Sequence, residues 1–137
     1  MIGSFRGQAL NRAALADIRS GNVAEGRAGL AAALRLARDS QDRSGVAVVV
    51  DGIAAAATLW TDGGRAGAER AAVLLGAAHS IRGAFDHSSL DAPAARDSAR
   101  QALGEAEFEA AYQRGRDLCY EEAIALAEDT AGSSASA

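Results

Sequence analysis

A chain of 137 residues is long enough to bury a core without a covalent staple, and its single cysteine, Cys119, excludes an internal disulfide and favours a reducing compartment. Its fourteen basic residues are all arginine and are outnumbered by eighteen acids, for a net charge of -4. No stretch gathers those arginines into the basic stripe that duplex recognition normally shows, which disfavours direct nucleic-acid binding.

Pro93 is the sole proline, and no run alternates apolar and polar residues between turn signals, so the elements read as helices. The first spans about 4–19, with Ser4 as N-cap and Leu10, Ala14 and Ile18 recurring every four residues along one face. Gly21 stops it in the left-handed conformation, and Asn22 caps a second helix running to about residue 39. The inner face of that helix is Val23, Gly26, Leu30, Ala33 and Leu34. A polar turn at 40–43 leads to a third helix, about 44–60, with Val46, Val49, Val50, Ile53 and Ala57 inward. Because it is apolar on most sides, it should be the most buried helix.

The turn at 61–64 precedes a fourth helix, about 66–85, carrying Ala71, Val73, Leu74, Leu75, Ala78 and Ile81. Pro93 then stands near the start of a fifth, about 94–103, where its missing N–H costs nothing, and Gly104 ends it. The sixth, about 105–118, buries Phe108, Ala111 and Tyr112. The seventh, about 120–129, buries Ile124, Ala125 and Leu126, or part of that set. Glu105, Glu107, Glu121 and Glu122 fall in first turns, where the helix dipole favours acids.

One pattern repeats. Gly26, Leu30 and Ala33 are small, large and small at spacings of four and three, and Ala71, Leu75 and Ala78 restate that pattern 45 residues later. The small residues let a neighbouring helix approach and the large one fills the gap between them. Each set follows a turn glycine and a helix of similar length, which makes two copies of a helical hairpin. The pattern resembles the tetratricopeptide repeat, whose second helix carries the same signature. The period exceeds the usual 34 residues, and neither copy has the bulky aromatic expected early in the first helix.

A second resemblance covers about residues 45–128. The run Glu69-Arg70-Ala71-Ala72-Val73-Leu74-Leu75-Gly76-Ala77-Ala78 is similar to a stretch of large actinobacterial regulators. The same holds, in matching order, for Ala102-Leu103-Gly104-Glu105-Ala106-Glu107-Phe108 to Gly115-Arg116, and for Glu121-Glu122-Ala123-Ile124-Ala125-Leu126-Ala127. Those proteins are LuxR-type and related ATPase transcriptional regulators with a C-terminal helical-repeat region. The resemblance implies a sensory and interaction scaffold. It departs at Cys119, where the family usually places a Ser or Thr cap. Nothing corresponds to the family's nucleotide-binding or DNA-binding parts, and a chain without lysine has no phosphate loop of the Gly-Lys-Ser/Thr type.

The chemical inventory is thin. His79 and His87, eight residues apart, lie too far along one helix to share an ion, and Asp86-His87-Ser88-Ser89 reads as a polar turn. Cys119 stands among acids that oppose thiolate formation, with no histidine near it in sequence. The glutamates of the sixth and seventh helices are explained by their first-turn positions. Trp60, the sole tryptophan, either plugs the open end of the hairpin core or lines a groove beside Arg65.

The expectation is therefore an all-α, tetratricopeptide-like stack of helical hairpins, about seven helices in a short α-solenoid. It forms one domain over 1–129, with hairpins at about 4–39 and 44–85, a C-terminal helical cap at 93–129 and a disordered tail at 130–137. No catalytic, cofactor-binding or metal-binding residues are expected, and the interaction surface is sought at Phe5, Trp60 and Arg65. The expected partner is a protein or a second copy of the chain, without direct nucleic-acid or membrane binding. A small molecule bound between the hairpins is the alternative. No charged n-region followed by an apolar core opens the sequence, and the apolar run 46–60 falls short of the roughly 20 residues a bilayer requires, so the expected location is cytoplasmic.

Overall fold

The computed structural model describes residues 2–60, 64–83 and 91–132, with the backbone alone at 2–9, 60 and 91. It is all-helical: α1 (Ile2–Arg19), α2 (Val23–Asp39), α3 (Arg43–Trp60), α4 (Arg65–Arg82), α5 (Asp91–Leu103), α6 (Glu105–Arg116) and α7 (Tyr120–Gly132). No described helix is long and apolar enough to cross a membrane.

The first two connections are the same device built from different residues. After α1, Gly21 takes φ +96°, and the N–H groups of Gly21 and Asn22 donate to Ile18 and Asp17 carbonyls at 3.1 and 2.8 Å. After α2, Gln41 takes φ +57°, and Gln41 and Asp42 donate to Arg38 and Ala37, both at 3.0 Å. Both are Schellman turns that satisfy the last carbonyls of a helix. Asn22 stands at the N-cap of α2, but its side chain makes no capping bond; its backbone carbonyl accepts from Gly26 instead. Asp42 does cap α3, its Oδ1 accepting from Gly45 N at 2.9 Å.

Several boundaries differ from the sequence reading for local reasons. α1 begins at Ile2, so Ser4 lies inside it. α4 stops at Arg82 because Gly83 turns left-handed at φ +94°. α5 starts at Asp91 and places Pro93 in its first turn, where the N–H has no helical partner to lose. α7 runs on past Asp129 to Gly132 because Thr130 and Ala131 are buried; 133–137 lie outside the described residues.

Packing follows chain order, then departs from it. α1 rests on α2 and α3, and α3 on α4, forming the hairpin stack. α5 and α6 then pack on α4, while α7 returns across α2, α4 and the edge of α3. The core is aliphatic and rich in alanine. From Gly45 to Ala57 every residue of α3 is buried, as its composition predicts. All six repeat positions, Gly26, Leu30, Ala33, Ala71, Leu75 and Ala78, are buried. Leu10, read as inward, is 36% exposed, and Leu15 at 1% fills that role.

Glycines permit close helix approaches at two places. A Cβ on Gly26 would meet Ile18 Cγ1 at 2.5 Å and the Ala14 carbonyl oxygen at 2.7 Å, so α2 lies tight on α1. Between α4 and α6 the approach is mutual. A Cβ on Gly76 would run into the Tyr112 carbonyl, and one on Gly115 into the Val73 carbonyl. Two backbones touch there with no side chain between them.

Candidate functional site

Among the described residues, three of the places that gather polar side chains are built across helices as follows. The first is the seat of α7. Arg27, on the inner face of α2, is only 6% exposed. Its Nη2 donates to the Thr130 carbonyl at 2.6 Å and its Nε to the Ala131 carbonyl at 3.3 Å. These carbonyls close a helix, where they lack helical partners and carry the negative end of the dipole, so a buried guanidinium suits them. Burial pulls the Arg27 pKa below the usual arginine value, yet the group remains charged. Arg70 of α4 adds bonds to Thr130 Oγ1 at 2.8 Å and Asp129 Oδ2 at 3.3 Å, and Arg38 of α2 pairs with Glu128. At the opposite end of α7 the Cys119 N–H donates to Glu122 Oε1 at 3.0 Å, half of a capping box. That bond holds the exposed Glu122 carboxyl below its ordinary value of 4.5.

The second place lies between α3, α4 and α6. Asp51, the acid that interrupts the apolar run, is 4% exposed and meets Arg82 Nη2 at 2.7 Å. One turn back along α4, His79 Nδ1 is 2.6 Å from the Tyr112 hydroxyl. Burial first, then the nearby Arg116 and Arg82 charges, pushes the His79 pKa below 6.5. His79 and Tyr112 thus share one hydrogen bond between α4 and α6. Burial, the largest influence on Tyr112, pushes its pKa above 10.0. A phenol poised as a base needs the opposite shift. The arrangement ties α4 to α3 on one side and to α6 on the other.

The third place contains Arg65. A cleft of about 260 Å³ is lined by Arg65, Glu69, Leu103, Glu107, Ala110 and Arg114. Arg65 pairs with Glu107 and Arg114 with Glu69 at 2.7 Å, so two ion pairs from α4 to α6 bridge it. A smaller cleft of about 180 Å³ lies where α1, α3 and α5 meet, between Arg19, Ala55, Thr58, Leu59, Ala94, Ala95 and Ser98. The Thr58 hydroxyl there is spent on the Ala55 carbonyl at 2.7 Å.

Of the expected interaction residues, Arg65 is exposed at the larger cleft. The side chains of Phe5 and Trp60 lie outside the described residues, as do Asp86 and His87. Cys119 is exposed and carries a free thiol. No group of three potential metal ligands occurs among the described residues. Sequence reasoning missed Arg27, because an arginine among alanines reads as solvated, and gave Asp51 no partner. No protein-family model matches the chain, and no curated protein or solved structure does either.

Proposed function

We propose that the chain is a non-catalytic scaffold for protein interaction or regulation, of tetratricopeptide-like type. We read it as the C-terminal domain or a stand-alone relative of a bacterial transcriptional regulator. The observation that supports a scaffold most directly is how the charged side chains are used. Arg27, Arg38, Arg70 and Arg82 each reach from one helix to another and line neither described cleft, and Arg114, at the larger one, is spent on Glu69 across it. Clefts of about 260 and 180 Å³ fall below the roughly 300–1,000 Å³ of small-molecule sites. The regulator assignment is supported by the ordered resemblance over residues 45–128.

The test pairs oligomeric mass, by light scattering across concentrations, with a thermal-shift screen of small metabolites. A scaffold gains mass with concentration, or on mixing with a defined protein partner, and its melting temperature ignores the metabolites. A compound that raises the melting temperature with the logarithm of its concentration, at constant monomeric mass, would replace the scaffold by a ligand sensor.

A further inference from the structure

We propose that a second copy of this chain docks on the outer face of α2, antiparallel to it and centred at the level of Leu30. This names the partner within the scaffold reading and rests on it. Ala24, Ala28, Ala32 and Leu36 follow one another every four residues and are all exposed, Leu36 at 43%. Such a row is the ridge that packs best against its own kind, with axes about 8 Å apart where side chains are small. The exposed Gly29 lies beside the middle of the row.

Charge specifies the occupant. Glu25 and Arg35 flank the row, both are exposed, and neither has an ion-pair partner among the described residues. They lie five residues to either side of position 30. A two-fold antiparallel pairing about that level sets Glu25 against the partner's Arg35, and Arg35 against the partner's Glu25. It also sets Ala28 against the partner's Ala32, and Leu36 against the partner's Ala24. A parallel pairing would oppose like charges at both ends. The α2 face is thus complementary to itself in one direction only, as an isologous two-fold interface requires. One helix pair buries less than the roughly 1,200–2,000 Å² of a standard interface, so the dimer is weak and forms at high concentration.

Sedimentation equilibrium on the full chain, from about 10 to 300 µM to span this weak range, tests the pairing. The wild type forms a dimer. Glu25→Arg and Arg35→Glu, each opposing like charges twice, weaken it at least about tenfold. The double variant Glu25→Arg/Arg35→Glu restores it, because the pairs re-form with signs exchanged. Ala28→Glu, at the centre, abolishes the dimer. All three positions are exposed, so circular dichroism melts of these variants stay close to wild type. A wild type that remains monomeric overturns the proposal, as does a dimer indifferent to the swaps or not restored by the double variant. A dimer indifferent to the swaps leaves the scaffold reading standing. A monomer whose melting temperature responds to a metabolite removes both.

Discussion

Helices α6 and α7 join the hairpin stack in different ways. α6 meets α4 at Gly76 and Gly115, backbone against backbone, with nothing to adjust. α7 is reached by long arginines from α2 and α4 that grip its last carbonyls and carboxylates. The first joint is steric and short in range, so salt and pH leave its centre untouched. The second is polar and tolerant of small shifts, and its outer pairs, such as Arg38 with Glu128 at 38% and 40% side-chain exposure, are open to screening. A protein can thus carry a rigid joint and an adjustable one within one cap.

The largest test of this contrast is Gly115→Ala. Its Cβ would strike the Val73 carbonyl and sit 2.9 Å from Ala77 N. Overpacking against backbone should outweigh the roughly 1 kcal/mol that alanine gains in a helix, leaving the fold about 2 kcal/mol less stable in urea titration. Arg27→Ala comes next, at about 2 kcal/mol or somewhat less, because it strands two carbonyls in the interior. Hydrogen exchange should then quicken in α7 and leave α6 protected. Equal loosening of both helices would mean the two joints are not separate.

The His79–Tyr112 contact adds a titratable element to the steric joint. His79 is depressed in the fold, so the stability it contributes is present above its ordinary 6.5 and lost as pH falls through the lower folded value. Stability should decline as pH falls below about 6.5, and His79→Gln should flatten that decline. Glu122 gives the smallest effect. Its carboxyl is exposed and depressed, so its contribution is present above about 4.5 and lost at lower pH. The Cys119 amide resonance should follow that titration and lose the dependence in Glu122→Gln.

Much of this architecture was legible from spacing. Leu30, Ala33, Leu75 and Ala78 recur at helical intervals, and Gly21 and Gly104 close helices by positive φ, which side chains resist. Gly76 and Gly115 were not legible as a joint. A glycine within a helix registers as a local cost, and its purpose depends on a partner about 40 residues away. Arg27 was hidden for a related reason: composition places an arginine in water, and only the dry end of α7 reverses that preference. Arg65 was singled out for its place beside Trp60, and its Glu107 partner belongs to a helix that sequence spacing does not connect to it.

Arg27 also bears on the order in which the chain folds as it is made. Its carbonyl partners at Thr130 and Ala131 come 103 and 104 residues later. At the roughly 5–20 residues per second of synthesis, that span occupies about 5–20 s. Throughout that interval the guanidinium stays hydrated and the surface of α2 and α4 that receives α7 stays open. Completion of α7 is therefore the latch on vectorial folding.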